Sequence, residues 1–232
     1  MIGRPRVHHR ATDSTNERAK QLAAGGAPHG TLVTADVQSA GRGRQGREWA
    51  SQAGHSVLMS LIVRGLGTKD ALLPLVAAVA VCEACEAHVP VRCRIKWPND
   101  VWIDGRKVSG ILVEGRPQAG WAVLGIGVNV TTPAFAGDLA ETATSLTLAA
   151  PGRAPSRDEL LETLVGSLDR WLAGPADEVL ARWRERDALL GAEVAWADGR
   201  GRAAGITDAG ALRVETDAGV VELDAGEVHL RR

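Results

Sequence analysis

The pattern of apolar runs and turn residues changes abruptly near residue 190, which divides the chain into two parts. Before it, long runs rich in β-branched residues are separated by stretches with helical periodicity. After it, only short apolar runs between Asp-Gly and Ala-Gly turns remain. We therefore predict a larger domain over residues 1–190 and a small antiparallel β module over residues 191–232. A module of this size is near the lower limit for independent folding, so we expect it to pack on the larger domain.

The elements of the larger domain follow from periodicity and from turn residues. Runs of β-branched residues predict strands, and 3.6-residue spacing of apolar residues predicts helices. Ser156 and Glu159 form a capping box that starts one helix, and Gly174-Pro175 ends it. The predicted strands are 31–37, 56–63, 107–115 and 121–130, and the predicted helices are 15–24, 69–88, 156–174 and 176–187.

The charge of the chain is close to neutral but unevenly distributed. A net charge of −1 excludes a global basic field of the kind that attracts nucleic acid or anionic lipid. Residues 1–60 nevertheless carry eight Lys/Arg against four Asp/Glu, whereas residues 206–232 carry three against six. The positive potential is therefore local to the N-terminal part of the chain.

Targeting signals and cysteine usage lead us to expect a cytoplasmic protein. The N-terminus has no apolar signal segment, and the longest apolar run, residues 71–82, is too short to span a bilayer. Three cysteines without an export signal predict reduced thiols. Cys82 and Cys85 form a C-x-x-C inside a helical stretch, where packing is the favoured interpretation. His8-His9 is interpreted as part of a solvated, unpartnered N-terminal arm rather than as a metal site.

An interleaved run of glycines and arginines follows the strand predicted at 31–37. The segment GRGRQGREW occupies residues 41–49 and ends at Trp49. Glycine lets backbone N–H groups converge on an anion, and arginine adds forked, permanently charged donors. The run therefore predicts an anion site with an aromatic face beside it. On composition alone, a solvated loop or a nonspecific nucleic-acid contact is the alternative.

A second polar group of residues lies on a predicted β-hairpin. The segment KWPND at 96–100 precedes an Asp104-Gly105 turn, after which the chain returns through Lys107 to Gly110. Glycine in a strand often marks the close approach of a ligand or another backbone, so these residues indicate a cleft. The alternative is a plain hairpin in which Asp100 caps a turn and Lys107 faces solvent.

Two further motifs place small or polar residues where a ligand can approach. Gly125 and Gly127 are two apart in GIGVNV and share one face of a strand, which leaves room for a flat group. Ser14, Thr15 and Asn16 stand at a helix start, where they either cap the helix or direct polar groups at a ligand. For the glycines, a bulge or tight sheet packing is the alternative.

These motifs together resemble those of the biotin protein ligase family. TDSTN, GRGRQGREW, KWPNDV, KVSGILVE and GIGVN occur in the family's order and spacing, over residues 11–130. The resemblance implies an α+β fold: a mixed β-sheet flanked by helices, the class II synthetase-like core of biotin and lipoate ligases, followed by a small SH3-like β-barrel. Some members carry an N-terminal helix-turn-helix that represses transcription. Here DSTN begins at residue 13, so we expect no direct DNA binding.

The resemblance also implies a two-step reaction and its ligands. The carboxylate of biotin attacks the α-phosphate of ATP to give biotinyl-5′-AMP, and a lysine of a biotin carboxyl carrier protein then attacks this adenylate. ATP, biotin and Mg²⁺ are the implied ligands, with Mg²⁺ on the phosphates and no metal site built from the chain's own residues. The implied partner is the carrier domain of a biotin-dependent carboxylase. A homodimer is allowed, and no membrane contact is expected.

The resemblance assigns roles to individual residues. Trp49 would stack on adenine, Asn129 would read its amino edge, and Asp100 would accept the proton of the attacking lysine. Gln45 stands where many members carry another basic residue, so this loop has one cation fewer. The implied catalytic residues are Arg42, Arg44, Lys107 and Asp100; the implied biotin-binding residues are Ser14, Thr15, Asn16, Gln38, Gly41, Arg42, Lys107, Gly110, Gly125 and Gly127; and the implied ATP-binding or adenylate-binding residues are Arg42, Arg44, Arg47, Trp49, Asn99, Lys107 and Asn129.

Two rival interpretations are open at this point. A lipoate- or octanoate-transferring relative shares the core fold, but a transferase of that kind would need a thiol or lysine nucleophile in the site. A nucleic-acid-binding module using the Gly/Arg loop would show salt-sensitive binding and no ATP turnover.

Overall fold

A seven-stranded mixed sheet organises the larger domain. The computed structural model describes residues 2–65, 70–224 and 226–230. The strand order is β1-β2-β3-β7-β6-β5-β4, in which β1 and β2 are parallel and the other neighbours are antiparallel. These strands are β1 (Arg6–Thr12), β2 (Leu32–Gln38), β3 (Ser56–Arg64), β4 (Cys93–Lys96), β5 (Asp100–Ile103), β6 (Arg106–Arg116) and β7 (Trp121–Asn129).

Helices cover the sheet on both faces, as predicted for the α+β core. Helix α1 (Thr15–Ala24) packs on one face against β2, β3 and β7. Helix α2 (Leu73–His88) packs on the opposite face with α5 (Arg157–Ala173) and α6 (Ala176–Arg184). Central strands buried on both faces should be apolar at nearly every position, and all nine residues of β7 are buried. The helices are α1 (Thr15–Ala24), α2 (Leu73–His88), α3 (Leu139–Thr142), α4 (Leu146–Ala149), α5 (Arg157–Ala173) and α6 (Ala176–Arg184).

Helix α2 is the buried helix that the apolar run at 71–82 predicts. It begins at Leu73, after a 3-10 turn over Asp70–Leu72, while Lys69, where the predicted helix was to begin, lies outside the described residues. Cys82 and Cys85 are fully buried on α2, and all three cysteines are unbridged thiols. Burial raises the pKa of the Cys82 thiol, which agrees with a packing role.

The N-terminal segment corrects one prediction. Residues predicted to form a solvated, unpartnered arm instead form the edge strand β1, which pairs in parallel with β2. His8 is not unpartnered: its Nδ1 lies 3.0 Å from Thr34 Oγ1, and its Nε2 lies 3.4 Å from an Asp36 carboxylate oxygen. The strand was missed because an exposed edge strand needs few apolar residues, so its polar sequence carries no strand periodicity.

Helix α6 ends three residues earlier than predicted, for a specific reason. The chain leaves the helix after Arg184 and runs alongside β4. Ile95 donates its N–H to the Arg186 carbonyl at 2.7 Å, and Ala188 donates to the Ile95 carbonyl at 2.9 Å. Pairing with this sheet edge therefore replaces the last helical turn.

The C-terminal module is a five-stranded antiparallel sheet in the order β11-β10-β9-β8-β12. Between the described strands, hydrogen bonding leaves β11 and β12 at the two edges, so the predicted SH3-like module is an open sheet rather than a closed barrel. Its buried residues, among them Val194, Leu212 and Val214, belong to the same apolar cluster as α2. The strands are β8 (Glu193–Trp196), β9 (Gly199–Ile206), β10 (Leu212–Thr216), β11 (Gly219–Leu223) and β12 (His229–Leu230).

Helix α5 begins with the predicted capping box. The Ser156 hydroxyl accepts from the Glu159 N–H at 3.2 Å, and the Glu159 carboxylate accepts from the Ser156 N–H at 2.8 Å. These bonds satisfy two donors that the first helical turn leaves unpaired. The helix then buries Leu160, Leu164 and Leu168, the face expected from its periodicity.

We predict that Ser156→Ala lowers the free energy of unfolding by about 1 kcal/mol, because the helix loses its N-cap acceptor. Ser156→Asn, which keeps a capping oxygen, should stay within about 0.5 kcal/mol of the parent chain. Urea unfolding followed by circular dichroism measures both values. Equal stability of the alanine and asparagine variants would contradict a stabilising role for the cap.

Candidate active site

The β5–β6 hairpin aligns a lysine with an aspartate. Asp104 and Gly105 both have positive φ (49° and 76°), which suits a tight two-residue hairpin turn. The register places Asp100 opposite Gly110, and Lys107 Nζ lies 2.7 Å from Asp100 Oδ1. The hairpin therefore presents an ion pair beside a bare glycine, and Lys107, whose side chain is 34% exposed, is paired with a carboxylate.

The Gly/Arg loop folds into a small hairpin of its own. Trp49 donates its N–H to the Gly41 carbonyl at 2.9 Å, and Gly43 donates to the Arg47 carbonyl at 2.6 Å. A Cβ atom at Gly41 would lie 2.4 Å from the carbonyl oxygen of Trp49, so a larger residue cannot occupy this position without moving the backbone. Gln45 takes a left-handed conformation at the tip, with φ of 55°.

The loop places the indole of Trp49 on the sheet. A Cβ atom at Gly127 would lie 2.5 Å from Trp49 Cε2, and one at Gly110 would lie 2.9 Å from Trp49 Cζ3. The room that the bare glycines predict is therefore present, and the flat group that rests on Gly127 is a side chain of the protein. Lys107 Nζ lies 5.7 Å from the centre of the same ring.

The start of α1 forms one polar end of the site. Gln38 accepts from the Thr15 N–H at 2.7 Å and from the Thr15 hydroxyl at 2.9 Å through its carbonyl oxygen. Ser60 Oγ lies 2.5 Å from Asn16 Oδ1, and Asn16 Oδ1 fills the space where a Cβ of Gly125 would stand. Ser14 is the N-cap residue of α1, but its side chain makes no capping hydrogen bond, so capping alone does not explain this motif.

Arg42 belongs to a balanced cluster of four charges. Its guanidinium lies 2.7 Å from Glu17 and 3.2 Å from Glu114, and Lys20 Nζ lies 2.6 Å and 2.9 Å from the same two carboxylates. Burial alone would raise the pKa of Glu114, but hydrogen bonds from Asn16 and Lys20 lower it below its ordinary value. The cluster fastens the Gly/Arg loop to α1 and β6.

The other two arginines of the loop contact the KWPND turn between β4 and β5 and the C-terminal module. Arg44 donates to Asn99 Oδ1 at 3.3 Å, and burial lowers the pKa of its guanidinium. Arg47 forms an ion pair with Glu227 of the C-terminal module. The loop thus touches α1, β6, the KWPND turn and the module.

These elements line an open cavity of about 380 Å³. Most of the predicted site residues line it, while Gly41 lines a neighbouring cavity of about 720 Å³ on the other side of the loop. The predicted residues brought together here are Ser14, Thr15, Asn16, Gln38, Arg42, Arg44, Arg47, Trp49, Asn99, Asp100, Lys107, Gly110, Gly125 and Gly127.

Asn129 lies outside the lining of both cavities. Its side-chain amide donates to the Thr144 carbonyl at 3.1 Å, and its oxygen lies 3.4 Å from Ser56 Oγ. Asn129 therefore holds the segment before α4 against β7. Contact with a ligand in the cavity would require it to exchange these partners.

Several residues of the cavity wall were not predicted from the sequence. Lys96 and Trp102 form part of the end occupied by Asp100, and Leu139 and Thr142 of α3 close it. Lys96 belongs to the KWPND motif, and this membership could have identified it as a cavity residue. Helix α3 carried none, because four residues show no periodicity. The apolar middle of the cavity is formed by Leu58, Met59, Ile111, Leu112 and Ile126.

The arrangement suits a long ligand with distinct parts. A polar head can hydrogen-bond near Thr15 and Gln38, an apolar portion can lie along the middle, and an anion can reach Arg44 and Lys107. Among the described residues no group of three or more His, Cys, Asp and Glu could hold a metal ion. Of the helices in the described ranges, none combines the length and apolarity needed to cross a bilayer.

Comparison with known proteins covers both parts of the chain. Residues 9–130 match the Biotin/lipoate A/B protein ligase family, and residues 192–231 match the Biotin protein ligase C terminal domain. The bifunctional ligase/repressor BirA of Bacillus subtilis (strain 168) is 34% identical over 245 residues, which cover 99% of this chain and 75% of that protein. The biotin–[acetyl-CoA-carboxylase] ligase of Paracoccus denitrificans is 36% identical over 233 residues, covering 94% and 97%.

A solved structure agrees with the observed architecture. The biotin protein ligase from Aquifex aeolicus in complex with biotin and ATP superposes with a TM-score of 0.85 at 31% identity, over 99% of both chains. The predicted combination of a mixed, helix-flanked sheet and a small β module is therefore confirmed.

The lowered pKa of Glu114 generates a prediction about stability and pH. A carboxyl whose pKa is lower in the folded than in the unfolded state stabilises the fold above its ordinary value of 4.5, and this stabilisation is lost as pH falls through the lowered pKa. We expect Glu114→Gln to be less stable than the parent chain near neutral pH, with the difference shrinking as the medium is acidified.

Urea unfolding midpoints from about pH 7 to about pH 3 measure this difference. Glu162→Gln is the matched control, because it removes an exposed carboxylate paired with Arg6 on another face. If the difference in unfolding midpoint between the parent chain and Glu114→Gln stays constant with pH, the lowered pKa of Glu114 is contradicted.

Proposed function

The chain belongs to the Biotin/lipoate A/B protein ligase family, and from this premise we propose that it is an ATP-dependent biotin–[biotin carboxyl carrier protein] ligase. The observation that carries the proposal is the cavity itself: a polar head site at Thr15 and Gln38, an apolar middle and a cationic end follow one another across the sheet from β2 to β4. Biotin has a polar ureido ring, an apolar chain and a carboxylate, which match these parts in order.

The first proposed step joins two anions. A carboxylate oxygen of biotin attacks the α-phosphorus of ATP, the bond to the bridging oxygen breaks, and pyrophosphate leaves with the electron pair. Two like charges about 4 Å apart repel by about 4 kcal/mol at an effective dielectric constant near 20. Fixed cations must offset this repulsion and follow the charge that moves onto pyrophosphate. Arg44, Arg47 and Lys107 are the proposed cations.

Arg42 is paired with two carboxylates, whereas Arg47 and Lys107 are each paired with one. It lines the cavity, but its guanidinium is paired with Glu17 and Glu114. We assign it first to holding the Gly/Arg loop closed over the ligand. It contacts a carboxylate or phosphate oxygen of the substrate only by exchanging one of these pairs.

The two ends of the substrate are assigned from the cavity lining. Biotin's ring lies near Ser14, Thr15, Asn16 and Gln38. Its chain runs through the apolar middle of the cavity, beside Gly110, Gly125 and Gly127, whose own faces are covered by Trp49 and Asn16 in this structure. The indole of Trp49 stacks on adenine through the face turned away from Gly127. Adenine recognition by Asn129 requires it to release Thr144. Asn99, bonded to Arg44, supports the nucleotide side.

Mg²⁺ would supply charge neutralisation of the phosphates when bound. The described part of the chain offers no cage of three protein ligands. Mg²⁺ commonly binds through substrate phosphates together with one or two carboxylates. Glu48 and Asp100 are the carboxylates among the described lining residues, and this sparse set fits an ion held mainly by the triphosphate.

The second proposed step transfers biotin to a lysine amine of the carrier domain. The amine attacks the carbonyl carbon of the adenylate, the bond to the phosphate oxygen breaks, AMP leaves, and the amine loses a proton. A free lysine has a pKa of about 10.4, so only about 0.04% is neutral at pH 7. Asp100, at the cationic end of the cavity, is the proposed acceptor of that proton.

The family relationship also supports a protein partner for this chain and allows a homodimer. The named relatives include a biotin–[acetyl-CoA-carboxylase] ligase, which supports the carrier domain of a biotin-dependent carboxylase as the partner. A homodimer is compatible with the open edge strand β1.

Pyrophosphate exchange tests the activity directly. We expect radiolabelled pyrophosphate to be incorporated into ATP only when biotin is present, because the first step is reversible and needs biotin's carboxylate. Lipoate and octanoate serve as matched acids of related length. If pyrophosphate exchange occurs with lipoate or octanoate but not with biotin, the biotin ligase proposal is wrong and the lipoate-type alternative is supported.

Asp100→Asn separates the two steps. We expect transfer from preformed biotinyl-5′-AMP to a carrier domain to slow by about 100-fold, the range that general base catalysis contributes. Asp104→Asn is the matched control, since it removes a carboxylate from the turn of the same hairpin at a left-handed position that asparagine tolerates. Unchanged single-turnover transfer by the Asp100 variant would exclude it as the base.

A further inference from the structure

The cationic end of the cavity contains a lysine, Lys96, that takes part in neither of the proposed reaction steps. Lys96 ends β4, lines the cavity, and is half-buried. Its ammonium lies 5.3 Å from the centre of the Trp102 ring, which covers one side of it. Among the described residues no carboxylate forms an ion pair with Lys96. A partly buried charge normally has a partner, so its position beside a cavity calls for an explanation.

The charges around Lys96 are unbalanced. Asp100 sits opposite Lys96 in the β4–β5 register, but its carboxylate is already paired with Lys107 at 2.7 Å. Lys107 and Arg47 both act on Lys96 as like charges, and burial, the largest effect, lowers the pKa of its ammonium. Arg44 is a further cation near the same carboxylate. Because Arg47 is paired with Glu227, the cations that share Asp100 are Lys96, Lys107 and Arg44, and three cations around one carboxylate leave a surplus that a single carboxylate ligand cannot neutralise.

Composition adds an independent observation. Of the 27 basic residues only four are lysines, at positions 20, 69, 96 and 107. This chain therefore uses arginine at nearly every position where any cation suffices. A lysine ammonium is compact and presents a point charge, whereas a guanidinium is a broad planar fork. Two of the four lysines, Lys96 and Lys107, line this cavity together with three arginines.

We propose that Lys96 binds the pyrophosphate portion of ATP and stabilises it as it leaves in the activation step. This inference rests on the proposed ligase function. When the bond between the α-phosphorus and the bridging oxygen breaks, the electron pair and the accompanying negative charge move onto pyrophosphate. Lys107, close to Trp49 and Gly110, stands nearer the middle of the cavity. Lys96, against Trp102 at its end, is placed for the phosphoryl groups beyond the reacting one.

The assignment predicts an effect on one step only. Lys96→Gln should slow biotin-dependent ATP–pyrophosphate exchange by at least about tenfold, the size expected when a hydrogen bond between charged groups is lost. The KM for pyrophosphate should rise. Transfer of biotin from preformed biotinyl-5′-AMP to a carrier domain should stay within about twofold, because pyrophosphate has already left. Lys96→Arg, which keeps the charge, should recover part of the exchange rate.

Arg106→Gln is the matched control, since it removes an exposed cation from the start of β6, outside the cavity lining. Exchange by Lys96→Gln that equals exchange by this control would overturn the proposal. An equal loss in both steps would also overturn it, because it would show that Lys96 only maintains the hairpin. Unfolding midpoints of both variants report whether the fold is retained.

A second measurement needs no variant. Acetylation of lysine amines in the unmodified chain, read by mass spectrometry, should be slowed at Lys96 by inorganic pyrophosphate. Lys20, paired with Glu17 and Glu114, serves as the internal reference and should not respond. Unchanged acetylation of Lys96 at saturating pyrophosphate would refute the assignment. Protection of Lys96 in a chain without biotin-dependent exchange would uphold the polyphosphate site while rejecting the ligase function.

Discussion

A pair of glycines facing each other across two strands is the constraint on which the rest of the site depends. Gly110 of β6 and Gly127 of β7 are register partners, so the sheet has a patch without side chains. Only there can the ring of Trp49 lie directly on the backbone. The ring in turn fixes the C-terminal end of the Gly/Arg loop and, through Lys107, the ion pair with Asp100. A side chain on either glycine would displace the wall of the cavity.

The loop is held by two groups of charges with opposite characters. The cluster of Glu17, Lys20, Arg42 and Glu114 contains two carboxylates and two cations within hydrogen-bonding distance, so it is satisfied without a ligand. At the other end, the cations outnumber Asp100. A cluster with equal numbers of positive and negative charges stabilises one conformation, whereas a surplus of positive charge attracts a polyanion. This contrast explains why arginines two residues apart in one loop serve different purposes.

What the sequence could predict depended on how local each interaction is. The capping box of α5 and the hairpin turn at Asp104-Gly105 involve neighbouring residues, and both are present. The strand β1 was missed because its edge position left a polar pattern. Arg42 and Glu114 are 72 residues apart, and no periodicity relates them. The motifs named Trp49 and Gly127 separately, but their contact depends on the topology that brings the loop over β7.

Asn129 shows where motif-based inference is weakest. Its motif suggested a contact with the nucleotide, while the structure uses its amide to secure the segment leading to α4. A motif constrains which residue stands at a position, and several physical demands can lead to the same residue. Thr15, Gln38 and Lys107, by contrast, all line the cavity, so the roles proposed for them are compatible with their positions.

The two domains are distinct in the sequence, but side-chain contacts between them stabilise the site. Trp97, which follows Lys96, is buried and donates its indole N–H to the carbonyl of Gly210 in the C-terminal module at 3.0 Å. Arg47 pairs with Glu227 of the same module. The KWPND turn and the tip of the Gly/Arg loop are therefore both supported from outside the larger domain. Because these two segments carry the surplus cations, the module acts as a structural part of the anion site, and the strength of that site depends on how firmly the module packs.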